Sequence, residues 1–142
     1  MAIQKLPRRA AVDTGALLAL ASSRDQYHER ASRTLGRLQA AGTRLVGHTL
    51  VLGELHGHLI RRLEPADARR LVLGVMRDPV FEWIDAGTDI VSRGFSGWIE
   101  RFPDQRFSLT DAVTFEMMRE ERITSAFAYD QDFVTAGFSL LG

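Results

Sequence analysis

A few carboxylates stand out by their settings. Asp13 directly follows the apolar run Ala10-Ala11-Val12, and Asp130 directly follows Ala126-Phe127-Ala128-Tyr129. Each is therefore expected at the carboxyl end of a strand, on the edge where open α/β sheets hold their ligands. Asp111 closes Ser108-Leu109-Thr110-Asp111, a helix-start signal with serine three residues before an acid. The positive end of the helix dipole favours its ionised form there. Glu54 falls in the second turn of an otherwise apolar helix, beside Leu52 and Leu55. A carboxylate bordering a buried stripe is costly unless it meets a cation or a donor. Acids that converge without thiolates suit a hard cation, magnesium or manganese, and a divalent ion relieves their mutual repulsion. Such a site orients and polarises a phosphodiester and activates a water. Read singly, each acid also has a structural reading. Asp13 helps Thr14 cap a helix, Asp111 is an ordinary first-turn acid, and Asp130 shares a turn with Asp132.

The elements that must position these acids follow from periodicity. Ala10-Ala11-Val12 reads as a buried strand, with Thr14 capping a helix whose face carries Leu17, Leu18 and Leu20. A second helix is predicted over Asp25 to Ala41, with Gly42 as its stop. Arg44-Leu45-Val46 is a short strand, and a helix from Thr49 carries Leu52, Leu55 and Leu59 at helical spacing. Pro65 fits the first turn of the next helix, which turns Leu71 and Val75 inward and ends before Pro79. Val80 to Ile84 is aromatic and branched, hence a strand. Gly87 to Glu100 is read as helical, interrupted by Gly94 and Gly97. The helix from Asp111 to about Arg122 carries Val113, Phe115, Met117 and Met118, and Ala126 to Tyr129 is a last strand. Strands alternating with helices imply a parallel sheet covered on both faces.

Composition narrows the field. The 142 residues are 45% hydrophobic and 25% charged, which suits one ordinary soluble domain. We read residues 1–142 as a single domain, with 1–9 as an N-terminal extension. The longest apolar runs are far shorter than a membrane span, and Asp13 breaks any secretory signal. No cysteine is present, so disulfides, thiolate metal sites and cysteine nucleophiles are excluded, and a cytoplasmic setting is expected. Net charge is zero, so charge alone does not point to nucleic acid. Arg61, Arg62, Arg69 and Arg70 form either a basic patch for an RNA backbone or a solvated, salt-bridged helix face. His56 and His58 are two apart and cannot share an ion on a helix. The HExxH pattern and the glycine-rich phosphate loops are absent.

In order and context these segments resemble the PIN-domain ribonucleases, especially the VapC-type toxins of bacterial toxin–antitoxin pairs. The resemblance rests on Val12-Asp13-Thr14-Gly15-Ala16-Leu17-Leu18, on Asp25 to Ala31, and on Thr49-Leu50-Val51-Leu52-Gly53-Glu54-Leu55. It continues in Ser108-Leu109-Thr110-Asp111-Ala112 and in Ala128-Tyr129-Asp130-Gln131-Asp132-Phe133 with Gly137-Phe138. It runs from about Ala10 to the C-terminus. One departure is Ala128-Tyr129, where the family often carries threonine and phenylalanine. The resemblance implies a three-layer α/β/α fold with a central parallel sheet. It implies magnesium or manganese held by Asp13, Glu54, Asp111 and Asp130, with Asp132 as a helper or an alternative fourth acid. It further implies endonucleolytic cleavage of RNA, a cognate VapB-type antitoxin, and a homodimer. Two other functions share the same acids: a PIN-like module that binds RNA or protein without cutting, and a magnesium-dependent DNA nuclease.

Overall fold

A computed structural model describes residues 5–142. Of the expected N-terminal extension, residues 1–4 lie outside the described residues, and Arg9 already belongs to the first strand. The chain runs β1 (Arg9–Val12), α1 (Thr14–Ala21), α2 (His28–Ala40), β2 (Arg44–His48), α3 (Thr49–Leu59), α4 (Pro65–Arg77) and β3 (Phe81–Ile84). It continues with α5 (Thr88–Gly94), a π-helical stretch (Phe95–Glu100), α6 (Leu109–Glu120), β4 (Ser125–Phe127), α7 (Asp132–Thr135) and β5 (Ser139–Leu140).

All strand pairs are parallel, in the order β3-β2-β1-β4-β5. The chain steps outward from β1 through β2 to β3, then crosses back to β4 on the other side of β1. Parallel crossovers are right-handed, so opposite directions of travel place helices on opposite faces. The two halves of the core show this. Ala10, Val12, Leu45 and Phe127 pack with α1, α2 and α3, whereas Ala11, Val46 and Ala126 pack with Val113, Phe115 and Met117 of α6. Adjacent strand residues go to opposite cores because side chains alternate across a sheet. The predicted three-layer α/β/α arrangement is thus the observed one.

Most element ends agree with the sequence reading, and the exceptions have local causes. The second helix starts at His28 rather than Asp25, because Asp25 Oδ1 accepts from the Tyr27 amide at 2.8 Å and holds the preceding residues in a turn. In α3 the inward stripe is Val51, Leu55 and Leu59, with Leu52 only half-buried. The last predicted strand ends at Phe127, two residues early. Met117 and Met118 are buried core. Gly42 stops α2 with φ of +74°, as its position suggests. Gly94 serves packing: a Cβ there would lie 3.0 Å from the Ala112 carbonyl oxygen, so its absence lets α5 cross α6 closely.

Candidate active site

The order β2-β1-β4 puts the switch in chain direction between β1 and β4, the position where open α/β sheets bind ligands beyond their strand ends. Asp13 is the first residue beyond β1. Its amide donates to the Phe127 carbonyl at 3.2 Å, which ties it to the end of β4. It occupies the N-cap position of α1 with extended backbone, yet its side chain makes no cap bond. The capping role expected of Thr14 is not the observed one: Thr14 is already the first residue of α1, and its Oγ1 is buried without a hydrogen-bond partner. Asp13 is only 8% exposed. Burial, and then the charges of Asp111, Glu54 and Asp130, push its carboxyl up to about 7, against a counteracting hydrogen bond from the Thr14 backbone.

Asp111 stands in the first turn of α6, its amide donating to Ser108 Oγ at 3.0 Å. That serine cap fixes where α6 begins and hence where the carboxylate stands. Burial raises the Asp111 pKa, Asp130 and Glu54 add to the rise, and hydrogen bonding to Ser108 opposes it. Glu54 is half-buried on α3, and its charge is felt by both Asp13 and Asp111. Asp130 is exposed on the loop after β4, and its Oδ1 accepts from the Asp132 amide at 2.8 Å. It therefore does not follow a strand directly as the sequence suggests, and it does make the turn with Asp132. Asp132 opens α7, and burial followed by the Asp130 charge raises its pKa.

Oxygens of Asp111, Asp130 and Asp132 all lie within 4.8 Å of one another, a spacing able to hold a metal ion. Asp13 and Glu54 stand outside that close trio but within its field. A donor set of carboxylates alone, with a buried acid whose charge is disfavoured by its acidic neighbours and an orphaned hydroxyl at Thr14, fits a hydrated hard cation.

Two supporting features escaped the sequence reading. His48, at the end of β2, is fully buried, and its Nε2 lies 2.8 Å from Thr114 Oγ1 on α6. Thr114 donates its own hydroxyl proton to the Thr110 carbonyl at 3.0 Å. Its lone pair must therefore accept from the histidine, which places the ring proton on Nε2. The link joins β2 to the turn that carries Asp111. Burial lowers the His48 pKa to about 4, against a backbone hydrogen bond at Thr110. A histidine closing the apolar run Leu45-Val46-Gly47 was the available signal. The second feature is Tyr129, whose ring stacks on Tyr27 with centroids 4.3 Å apart and planes 7° apart. The departure at Ala128-Tyr129 thus anchors the loop bearing Asp130 against the segment before α2.

The sequence matches the profile of the PIN domain over residues 10–139. The chain belongs to the PIN domain family. Its PIN fold is similar to the crystal structure of Mycobacterium tuberculosis VapC20, described as a sarcin-ricin loop cleaving toxin. The TM-score is 0.79 and the identity 28%, over 91% of this chain and 95% of that one. In sequence, 41 residues are 42% identical to the 23S rRNA-specific endonuclease VapC20 of the same organism. That stretch spans 29% of this chain and 31% of the relative, about a third of its length. The PIN fold is also that of VapBC2 from Rickettsia felis bound to a promoter DNA fragment, at a TM-score of 0.71 and 12% identity over 93% of this chain and 96% of that one.

Proposed function

We propose that this PIN domain is a divalent-metal-dependent endoribonuclease, the toxin of a toxin–antitoxin pair. The observation that carries the reading is the convergence of Asp13, Glu54, Asp111 and Asp130 beyond β1 and β4, with Asp13 buried and raised to about 7 by burial and its acidic neighbours. The likeness to VapC20, named for cutting 23S rRNA, supports RNA as the substrate.

We assign Asp13, Glu54, Asp111 and Asp130 as the catalytic acids and metal ligands, with Asp132 supporting Asp130. Magnesium or manganese bound there would polarise a phosphodiester and activate a water for attack on phosphorus. The chain's own part is placement and field. Ser108 fixes the start of α6 and so the position of Asp111. The Phe127 carbonyl holds Asp13, and the Tyr27–Tyr129 stack holds the loop of Asp130. The Thr14 hydroxyl, without a protein partner, is free to orient a water. Pre-positioned charge of this kind, rather than covalent chemistry, lowers the barrier. The remaining proposals are a single domain, a homodimer, a cytoplasmic setting, and a VapB-type antitoxin that covers the site.

The test is cleavage of a labelled pool of transfer, messenger and 23S ribosomal RNA. It is run with magnesium or manganese and with chelator, beside Asp13→Asn. Metal-dependent cutting that the variant loses is the expected result. Binding without cutting under every condition would overturn the nuclease in favour of a binding module, and cutting of DNA alone would move the substrate.

A further inference from the structure

The acids account for attack on one phosphate, and a second feature lies further along the same two helices. The segment after α1 and the segment after α3 enclose an open cavity of about 650 Å³, lined by Ser22, Ser23, Arg24, Asp25 and Arg62 among others. Helices α1 and α3 pack side by side; Asp13 stands at the N-cap of α1 and Glu54 midway along α3. Ser22 closes α1 nine residues after Asp13, roughly 13 Å along the helix at 1.5 Å per residue, and Arg62 lies in the turn three residues past the end of α3.

What sets Arg24 and Arg62 apart is that they line one concavity together with two serines. Elsewhere the arginines with acidic neighbours are tied: Arg9 to Glu82 and Glu121, Arg44 to Glu82, Arg70 to Asp67, Arg93 to Glu120, and Arg119 to Glu116. Among the described residues, Arg24 and Arg62 have no carboxylate within 4.0 Å. The one acid in the lining, Asp25, has an oxygen engaged by the Tyr27 amide. Two unpaired guanidinium groups and two serine hydroxyls around an open concavity match the oxygens of a phosphodiester, which arginine binds bidentately. An acidic protein segment is the rival occupant, but a docked peptide needs apolar anchors, and only Ala21 and Leu63 offer such surface here.

We propose that this cavity is an RNA-backbone subsite, in which Arg24 and Arg62 hold a phosphate flanking the one placed at the acids. The proposal rests on the ribonuclease reading of the acids and deepens it. It separates Arg62 from Arg70 in the basic run: Arg70 is a salt-bridge partner, while Arg62 meets the substrate.

The experiment measures binding of fluorescent oligoadenylate to the full chain in EDTA, so that the RNA stays intact, across a potassium chloride series. Arg24→Ala/Arg62→Ala is compared with the parent chain and with Arg69→Ala/Arg77→Ala on α4. The expected result for the first double variant is roughly tenfold weaker binding, with a salt slope shallower by about 0.7 to 1, equally on oligouridylate. Arg24→Lys/Arg62→Lys is expected to restore the slope, since it keeps the charge. An unchanged slope overturns the subsite, even if binding of an acidic antitoxin peptide falls. So does an equal loss in the α4 variant, which would mean a diffuse field. Cleavage of the same RNA by the parent chain in manganese is scored separately. Cleavage with an unchanged slope sinks the subsite alone, while the expected slope change without cleavage sinks the nuclease reading and keeps the subsite.

Discussion

Asp13 is the residue whose environment says most. A carboxyl raised from 3.8 to about 7 binds its proton more tightly in the folded state than in the unfolded one. Its contribution is therefore intact below about pH 4 and is lost as pH rises towards 7. At about 1.4 kcal/mol per pH unit, this shift amounts to roughly 4 kcal/mol in the metal-free protein. Asp13→Asn is expected to flatten that decline, read from denaturant midpoints at pH 4.5 and 7.5 in EDTA, while abolishing cleavage. A parallel decline in parent and variant would remove the buried acid from the account. The proposal of Asp130 over Asp132 as the fourth acid is tested at the same scale. The charge of Asp130 reaches Asp13 and Asp111, whereas Asp132 is coupled to Asp130. If Asp132 only supports Asp130, Asp130→Asn should weaken manganese binding about tenfold more than Asp132→Asn, since supporting residues typically cost about 10- to 100-fold. Calorimetric titration that gave the reverse order would exchange their roles.

Between elements, the joint from β2 to α6 sets where Asp111 stands. His48 is buried and neutral, and its pKa near 4 lies below the ordinary histidine value of 6.5. Its contribution is therefore full above about pH 6.5 and is lost progressively as pH falls towards 4, when the unfolded chain takes up a proton the folded one refuses. Thr114→Val removes the acceptor for His48 Nε2 and should lower stability at pH 7.5 by about 1–3 kcal/mol, the usual cost of an unsatisfied buried group. Thermal melts would show it, and a variant as stable as the parent would mean that the hydrogen bond contributes nothing net. Further along, the contact of Gly94 with Ala112 shows the α5–α6 crossing to be equally intolerant of added volume.

At the scale of the whole molecule, acids from four separate segments repel one another in the folded chain, and a divalent cation is the natural counter-charge. Manganese should therefore raise the melting temperature of the parent chain, as any ligand that binds only the folded state must. The rise should shrink in Asp111→Asn and vanish with chelator. An equal rise in that variant would place the bound ion elsewhere. The five parallel strands hold these segments in one register, so loss of a single ligand is expected to leave the fold intact.

The sequence by itself determined the alternation of elements and singled out the acids proposed for the site. The short apolar run ending at Asp13 and Ser108 three residues before Asp111 are local signals, and the end of β1 and the start of α6 fall where they point. It also determined the layers, because strand residues such as Ala10, Ala11 and Val12 are apolar on both faces, which only a sheet covered twice can bury. It did not determine where β4 ends, since Ala128 and Tyr129 are as strand-like as Phe127. Tyr129 leaves the sheet's edge because it stacks on Tyr27, a residue 102 positions earlier in the chain. Nor did it determine that His48 meets Thr114, or that Arg62 faces a cavity with Arg24 while Arg70 pairs with Asp67. These are contacts between residues far apart in the chain, or choices among equivalent arginines. Local propensity carries no information about either, and only the packed arrangement of α1, α3 and α6 around the sheet decides them.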